Sequence, residues 1–332
     1  MNHQAHQRLM TMAHEKKFNG QILFVERNQC FEYIHGVEDI NKQTSLSHQS
    51  IFSVASGTKF LTALAIGKLI DENKFTLETK AKDILDLGFE MYDDDIRIKH
   101  LLSHTSGIPD YLDESLDEHQ EIDNLNLKEV SDYLRYFPRR PMDFQPGTRF
   151  QYNNSAFVYL ALIIEHITHM SYQDYINHHL LEPLGIFRSG IFLISSSFHH
   201  KAWGYVDMLQ QKTYIGYIPE MPGGDGGAYM QADDLMHIFI SFMDHQILSN
   251  PLTQSFLTPQ VLADEKTEEW YGLGVWLKKK HDQFIPFVIG IDPGIRMKAY
   301  FDPIQNLYAW IASNVEEDIW DIFHLFDQVV CA

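Results

Sequence analysis

The chain has 332 residues, of which 45% are hydrophobic and 21% are charged, so it holds enough apolar material for a sizeable core. Its formal net charge of -19 disfavours nucleic acid and anionic membrane surfaces as partners, because both are themselves negative. The first 20 residues contain no apolar run typical of a signal peptide, and no stretch of about 18 apolar residues predicts a membrane span. As written, the sequence predicts a cytoplasmic protein.

The first elements along the chain are a hairpin and a helix. Residues 21–26 and 30–34 alternate in strand fashion around a short polar turn, which predicts a β-hairpin. From Ser56 to Ile70, apolar residues recur every three or four positions and predict a buried helix. Helices and loops are then expected up to about residue 200, with helical patterns at 130–136, 156–167 and 172–181.

Extended segments return after about residue 205, at 270–277, 286–291, 295–301 and 307–312. An amphipathic pattern over 317–330, with acidic residues in its first turn, predicts a closing helix. This order predicts an α+β fold in which strands from both ends of the chain share one antiparallel sheet flanked by helices. We expect a single domain, 1–332, with an α/β lobe (1–75 and 205–332), an inserted, mostly helical lobe (76–204), and a site in the cleft between them.

Ser56 and Lys59, at the start of the first strong helix, are the sharpest local feature. Residues three apart lie on one face of a helix, so the Lys59 amine can reach the Ser56 hydroxyl. Serine needs a base at neutral pH, and a desolvated lysine with a depressed pKa can serve as one. The helix N-terminus also offers unpaired N–H groups to a developing oxyanion. On its own, the same pattern fits a capping serine beside a surface lysine.

Tyr152 and Asn154 lie in a loop just before the helix predicted from Ala156. The tyrosine hydroxyl can share proton transfer with Lys59, and the asparagine amide can bind a substrate carbonyl or steady that lysine. Taken alone, Tyr152 also fits an aromatic core residue that precedes a helix cap.

Together these residues resemble a known family. Ser56-x-x-Lys59 and Tyr152-x-Asn154 resemble the first two motifs of class C β-lactamases, their esterase relatives, low-molecular-weight penicillin-binding proteins and D-peptidases. Further segments match in the same order within residues 18–325, at 18–20, 98–109, 145–148, 223–227 and 232–235. The resemblance implies a β-lactamase/transpeptidase-like fold, with Ser56 as nucleophile and with Lys59 and Tyr152 as its proton-transfer partners.

The third motif of the family, Lys-Thr-Gly or His-x-Gly on the strand that lines the cleft, has no basic counterpart here. If Gly290 is the motif glycine, the basic position is Val288, and if Gly294 is, the position is Asp292. A cation at this position would assist the base and attract a substrate carboxylate. Its loss disfavours β-lactams and D-Ala-D-Ala termini as substrates.

Two further roles on these strands follow from the resemblance. The N–H after the motif glycine completes the oxyanion hole with that of the nucleophile. This residue is Ile291 in the register of Gly290 and Ile295 in the other register, and we favour Ile291. Arg296 and Lys298 alternate onto one face of the next strand, where they either replace the lost cation or face solvent.

Residues 110–123 hold seven carboxylates, which predicts a solvated loop or, alternatively, an acidic rim that selects cationic substrates. We expect no metal, because the histidines lack tight ligand spacing. We expect no organic cofactor, because the glycines at 223–227 lack a nucleotide-binding pattern. His104, in the matched His-Thr-Ser-Gly turn, is predicted to be a structural hydrogen-bonding residue.

The sequence therefore predicts a serine hydrolase that cleaves an ester, amide or lactam bond through an acyl-enzyme. Small esters or D-amino-acid peptides are the favoured substrates, and β-lactamase activity is a further option. The predicted substrate-binding residues are Asn154, Gly290, Ile291 and Arg296. The alternative is a non-catalytic relative that binds a peptide or cell-wall fragment in the same cleft. Retention of the nucleophile with its proton-transfer partners favours catalysis, because a pure binding protein has no chemical need for them.

Overall fold

The computed structural model describes residues 3–27, 29–113, 122–316 and 319–331. Its α-helices are α1 (His3–Glu15), α2 (Thr58–Asp71), α3 (Ala81–Ile84), α4 (Ile98–Leu102), α5 (Asn154–Thr168), α6 (Tyr172–Tyr175), α7 (Ala232–Met243), α8 (Asn250–Leu257) and α9 (Trp320–Cys331). Shorter 3-10 turns are Ala55–Gly57, Asn124–Asn126, Val130–Arg135 and Glu182–Leu184, and a π-helical turn spans Ile176–Leu181. None of the described helices is long and apolar enough to cross a membrane.

The strands fall into one large sheet and several small ones. They are β1 (Gly20–Glu26), β2 (Gln29–His35), β3 (Val37–Asp39), β4 (Thr44–Ser45), β5 (Ile51–Ser53), β6 (Gly190–Ile191), β7 (Lys201–Ala202), β8 (Tyr205–Asp207), β9 (Lys212–Thr213), β10 (Ala228–Met230), β11 (Val261–Asp264), β12 (Glu269–Tyr271), β13 (Trp276–Lys280), β14 (Gln283–Asp292), β15 (Ile295–Asp302) and β16 (Leu307–Ser313).

The large sheet has eight strands in the order β11-β12-β13-β14-β15-β16-β1-β2. Strand β1 pairs antiparallel with β16, so that Gly20 lies opposite Ser313 and Glu26 lies opposite Leu307. It also pairs with β2, which confirms the predicted hairpin. Because the two ends of the chain meet in this sheet, the predicted α+β fold with one shared antiparallel sheet is confirmed.

Helices cover both faces of the sheet, and the alternation of side chains along each strand explains how. In β16, Leu307, Ala309 and Ile311 pack in the cluster that contains residues of α1 and α9. The intervening Tyr308, Trp310 and Ala312 pack in the cluster built around α2, α5 and α7. Each fully buried large apolar side chain contributes about 1.5–3 kcal/mol to folding. Burial on both faces explains why β16 is apolar almost throughout.

Three predicted elements differ from those observed. The extended segment predicted at 270–277 was wrong as a single strand, because it divides into β12 and β13 around a glycine turn. A Cβ on Gly274 would lie 2.0 Å from the Cβ of Ala63, so the chain turns where its backbone packs against α2. The helix predicted over 130–136 is a 3-10 helix, and the one predicted over 172–181 changes to π geometry after its first turn.

A second, four-stranded sheet in the order β6-β10-β5-β7 lies where the chain enters α2. Strand β5 pairs antiparallel with β10 and parallel with β7, so it is held on both sides. The residues after β5 are therefore positioned by a sheet on one side and by a buried helix on the other. Between 76 and 204 the described elements are mainly helices, and the division into two lobes at 75 and 205 stays a prediction.

Candidate active site

Ser56 lies in the tight turn that joins β5 to α2. The 3-10 turn Ala55–Gly57 comes first and α2 begins at Thr58, so the predicted helical start at Ser56 was early by two residues. Ala55 has φ 45°, a conformation that costs an L-residue about 1–2 kcal/mol. Hydrogen bonds hold this strained turn: the Thr58 hydroxyl donates to the Ala55 carbonyl at 2.6 Å and accepts from the Ala228 N–H at 2.9 Å.

Lys59 lies one helical turn beyond the serine and is only 2% exposed. Its ammonium donates to the Ser56 hydroxyl at 3.1 Å, to the Asn154 side-chain oxygen at 2.8 Å and to the Asp225 carbonyl at 2.9 Å. These contacts use all three donors of the ammonium. The ammonium also lies 4.8 Å from the centroid of the Tyr152 ring. The structure thus brings together Ser56, Lys59, Tyr152 and Asn154.

The ring of Tyr152 is held between other aromatic side chains. It packs on His104, with ring centroids 4.4 Å apart, and stacks on Trp276 at 6.2 Å. His104 is buried and its Nδ1 accepts a hydrogen bond from the Asn153 N–H, in agreement with its predicted structural role. Burial and the nearby Lys59 ammonium lower the pKa of His104 well below its usual value, so the ring is neutral. A neutral ring supports Tyr152 without adding charge.

Asp110 is a site residue that the sequence did not predict. Its carboxylate accepts hydrogen bonds from the Asn154 backbone N–H at 2.9 Å, from the Asn154 side-chain amide at 3.0 Å and from the Ser155 N–H at 2.9 Å. Because Asp110 is 6% exposed, its assignment to a solvated loop was wrong, whereas Asp123 is exposed and 114–121 lie outside the described residues. Burial raises the pKa of Asp110, and the hydrogen bonds from the α5 N-terminus oppose that shift.

Asp225 was also missed as a contributor to the site. It lies in the glycine turn 223–227, where a Cβ on Gly224 would be 2.8 Å from the Phe157 carbonyl oxygen. This close approach brings the Asp225 carbonyl to the Lys59 ammonium, while its carboxylate accepts a hydrogen bond from the Tyr111 hydroxyl at 2.6 Å. A run of glycines indicates that the backbone packs closely against another part of the protein, but the sequence alone does not identify that part, which here is α5.

Gly290 on β14 packs directly against the nucleophile turn. A Cβ at this position would lie 1.9 Å from the Val54 carbonyl oxygen, so glycine is required. A Cβ on Gly294 would instead meet the backbone of Tyr205. Of the two registers considered for the third motif, the structure therefore brings the glycine of the first one, Gly290, beside Ser56.

The backbone at Ile291 faces an open strand edge. The two-residue turn makes Asp292 and Ile295 a hydrogen-bonded pair, so alternation makes Ile291 and Arg296 a non-hydrogen-bonded pair. The Ile291 N–H therefore points away from β15. On that side, pairing with β13 ends at Phe287, so this N–H lies along an unpaired edge that borders the cavity.

Arg296 does not reach the cavity. Its guanidinium donates to Glu316 at 2.7 Å and lies 4.9 Å from the Trp320 ring. Lys298 donates to Asp327 of α9 at 2.9 Å. Both cations are buried on the sheet face that α9 covers, so neither of the alternatives considered for them, a replacement cation or a solvent-facing side chain, describes their position.

Ser56, Tyr152, Asn154, Gly290 and Ile291 all line one cavity of 730 Å³. Its other described lining residues are Ser53, Asp110, Tyr111, Leu112, Asp113, Tyr133, Gln151, Ile194, Ile218, Pro219, Met221, Pro222, Asp225, Gly226, Gly227, Trp276, Ile289 and Asp292. Across the described residues, no three His, Cys, Asp or Glu side chains form a group that could hold a metal ion. The cavity wall thus carries the Ser56 hydroxyl, which lies beside the buried Lys59 side chain, together with the strand edge that holds the Ile291 N–H.

Comparison with known sequences identifies relatives along nearly the whole chain. Residues 12–329 match the family described as beta-lactamase. Penicillin-binding protein 4* of Bacillus subtilis (strain 168) is 28% identical over 287 residues, which cover 80% of this chain and 60% of that protein. Protein flp of Staphylococcus aureus (strain MW2) is 31% identical over 319 residues, which cover 93% of this chain and 62% of that protein. The chain thus spans about three fifths of these curated relatives.

Solved structures agree with this assignment. The penicillin binding protein from Bacillus halodurans has a TM-score of 0.87 and 32% identity, with 99% of each chain covered. D-amino acid amidase from Ochrobactrum anthropi SV3, complexed with L-phenylalanine amide, has a TM-score of 0.79 and covers 98% of this chain and 97% of its own, but its 17% identity supports the fold alone. The chain therefore belongs to the beta-lactamase family and has the serine-hydrolase type of fold found in penicillin-binding proteins.

Proposed function

We propose that this protein hydrolyses an ester or amide bond through an acyl-enzyme formed on Ser56. The observation that carries the proposal is the 3.1 Å hydrogen bond between the Lys59 ammonium and the Ser56 hydroxyl, at the wall of a 730 Å³ cavity. A nucleophile within hydrogen-bond reach of a base that is itself oriented by further groups is the arrangement that covalent catalysis requires. Asn154 and the Asp225 carbonyl supply that orientation.

In the first step, the Ser56 oxygen attacks the substrate carbonyl while its proton passes to the Lys59–Tyr152 pair, which accepts it with Lys59 as the neutral amine or Tyr152 as the phenolate. The carbonyl oxygen becomes an oxyanion, which the N–H groups of Ser56 and Ile291 stabilise by hydrogen bonds directed at the developing charge. Tyr152 then protonates the leaving group as the C–O or C–N bond breaks. Water then attacks the acyl carbon and loses a proton to the same pair, which returns a proton to the Ser56 oxygen as the acyl group leaves as a carboxylic acid.

Small esters and D-amino-acid amides or peptides are the substrates we favour. Strand β14 carries Val288 and Asp292 where family members carry a cation, so a terminal carboxylate finds no counter-charge there. This disfavours β-lactams and cell-wall stem peptides that end in D-alanine. A D-amino acid amidase has the same fold, so amides of D-amino acids are the class to test first.

A binding module without catalysis is the rival function, and the altered third motif is what supports it. Against it stands the buried Lys59, because taking an ammonium out of water costs free energy even when its donors are paired. A protein that only bound ligands would gain nothing from aiming that ammonium at a serine hydroxyl.

Labelling with a fluorophosphonate, followed by intact-protein mass, tests whether Ser56 is activated. Ser53 is a matched control, because it is a buried serine that lines the same cavity three residues away. We expect one adduct on the wild type and on Ser53→Ala, and none on Ser56→Ala. Turnover of an activated ester should follow the same pattern. Absence of an adduct on folded wild-type protein would rule out the hydrolase and leave the binding function.

A further inference from the structure

An apolar wall forms one side of the cavity. We define it by the apolar lining residues that two separate segments of the chain contribute, which are Ile194, Ile218, Pro219, Met221 and Pro222. Ile194 and Ile218 pack in one cluster with Ala55, the residue before Ser56. The apolar wall therefore begins directly beside the nucleophile turn.

Glu220 joins the two segments of the apolar wall. Its backbone carbonyl accepts a hydrogen bond from the Ile194 N–H at 3.1 Å. Its carboxylate accepts the Ser195 N–H at 3.1 Å and the Ser195 hydroxyl at 2.5 Å. Because Glu220 itself lies between Ile218 and Met221, one residue connects both segments and holds the 194–196 segment by its N–H groups.

Lys201 holds the same segment by its carbonyl groups. The lysine is only 3% exposed, and its amine donates to the Ile194 carbonyl at 2.6 Å and to the Ser196 carbonyl. Burial lowers the pKa of Lys201 to about 7, but an amine keeps at least two N–H donors in either charge state, so both contacts persist. Four aromatic rings surround the amine with centroids 3.8–5.8 Å away, those of Phe198, Trp203, Tyr214 and Tyr229.

The segment 194–196 is thus fixed from both sides, by an acceptor on one side and by a donor on the other. Neither Lys201 nor Glu220 is among the described residues that line the cavity, so both act on a ligand only through the apolar wall. Lys201 also lies on β7, which pairs with β5 just before the nucleophile turn. The same small sheet therefore positions both Ser56 and the apolar wall.

The apolar wall lies where an acyl group would extend. Tyr152, the proposed proton donor to the leaving group, packs with His104 and Trp276. It is outside the cluster in which Ile194 and Ile218 pack beside the nucleophile turn. A leaving group at Tyr152 therefore leaves the apolar wall to the acyl group.

We propose that Lys201 and Glu220 are positioning residues that fix the apolar wall, and that this wall selects substrates with an apolar acyl group. The inference rests on the proposed function, because it takes the acyl group to be carried on Ser56. Each CH₂ group that the wall removes from water strengthens binding about fourfold. A wall held in one position supplies that gain without first having to be ordered by the substrate.

Turnover of p-nitrophenyl acetate and p-nitrophenyl hexanoate tests the apolar wall, because the two esters share a leaving group and differ only in acyl length. In the wild type we expect kcat/KM to be about tenfold or more higher for the hexanoate. Ile194→Ala should lower this hexanoate-to-acetate ratio about threefold or more, mainly through KM for the hexanoate. Equal kcat/KM for the two esters in a wild type that hydrolyses both overturns the inference and leaves the hydrolase intact.

Variants of the two positioning residues test how the apolar wall is held. Lys201→Met removes the N–H donors but keeps an apolar chain among the rings, and Glu220→Ala removes the carboxylate at a partly exposed position where folding is less at risk. Each should lower the hexanoate-to-acetate ratio about threefold or more.

Lys280→Met is the matched control, because Lys280 is also a buried lysine that donates to a backbone carbonyl, that of Val330 at 2.9 Å, and it is not among the described lining residues. Its ratio should equal that of the wild type even where its melting temperature falls. An equal fall of the ratio in Lys280→Met contradicts the positioning role. So does a wild-type ratio in both Lys201→Met and Glu220→Ala.

Binding to Ser56→Ala separates this inference from the proposed function. The same two esters are titrated against the variant, and quenching of tryptophan fluorescence by the nitrophenyl group reports binding, because Trp276 lines the cavity. We expect the hexanoate to bind about tenfold more tightly than the acetate. If this preference is found while the wild type neither reacts with fluorophosphonate nor turns over either ester, the hydrolase is refuted and the selectivity of the apolar wall stands. Equal binding of the two esters refutes that selectivity.

Discussion

Asp110 sets the orientation of the Asn154 amide, and substitution by asparagine tests this directly. A carboxylate only accepts hydrogen bonds, so the Asn154 side-chain nitrogen must face Asp110, at 3.0 Å, and the side-chain oxygen must face Lys59, at 2.8 Å. Asp110→Asn puts a donor opposite that nitrogen. The Asn154 amide then rotates to avoid it and turns its own nitrogen toward the ammonium of Lys59.

The size of the effect follows from the contacts that are lost. In Asp110→Asn, the new side-chain oxygen still accepts the N–H groups of Asn154 and Ser155, so we expect a loss of about 1–3 kcal/mol in unfolding free energy for one unsatisfied buried donor. The Lys59 ammonium loses one of its three acceptors and shifts away from Ser56. We expect this displacement to slow the reaction of Ser56 with an acylating or phosphonylating reagent about 10²-fold.

Urea unfolding measures the stability, and the rate of fluorophosphonate labelling measures the reactivity of Ser56. The exchanged double variant Asp110→Asn/Asn154→Asp restores a donor–acceptor pair and again presents an oxygen to Lys59. We therefore expect it to regain most of the lost labelling rate. If Asp110→Asn labels at the wild-type rate, or if the exchange brings no recovery over the single variant, then Asp110 does not act by orienting the amide.

Three further substitutions test other parts of the site and the surface. Gly290→Ala should lower the melting temperature and slow labelling, because its methyl group would lie 1.9 Å from the Val54 carbonyl oxygen; unchanged melting would contradict this packing. Tyr152→Phe should slow labelling about 10²-fold or more at unchanged stability, because its ring contacts remain; an equal rate would remove Tyr152 from proton transfer. A hydrogen bond to Glu32 raises the pKa of His48, so its stabilising effect is complete below about pH 6.5 and is lost as the pH rises through the raised pKa. In urea unfolding, His48→Gln should therefore lower the free energy of unfolding more at about pH 5.5 than at about pH 9. An equal loss at both pH values would refute the link between the His48 charge and stability.

Much of the site was predictable because it depends on local geometry. Ser56 and Lys59 are three residues apart where a helical pattern begins, so helical geometry alone places the amine beside the hydroxyl. The extended patterns at 295–301 and 307–312 likewise predicted two strands, which are β15 and β16. The segment 270–277 misled the prediction, because its glycines serve a tight turn against α2 and not a continuous strand.

The remaining features depend on contacts between distant parts of the chain, which no local pattern encodes. The Asn154 side chain, 95 residues from Lys59 in the sequence, accepts a hydrogen bond from the Lys59 ammonium. The Asp225 carbonyl, 166 residues away, accepts another, because α5 and the glycine turn pack on α2. Asp110 is buried where it accepts hydrogen bonds from the N–H groups at the start of α5, although its acidic neighbours in the sequence had indicated a solvent-exposed loop. The sequence by itself indicated Ser56 and Lys59 as the proposed nucleophile and base, through their spacing and the family resemblance, and it predicted the antiparallel sheet through its strand patterns. Tertiary packing decided which side chains orient Lys59, and it pairs Arg296 with Glu316 on the sheet face that α9 covers, because these contacts join distant parts of the chain.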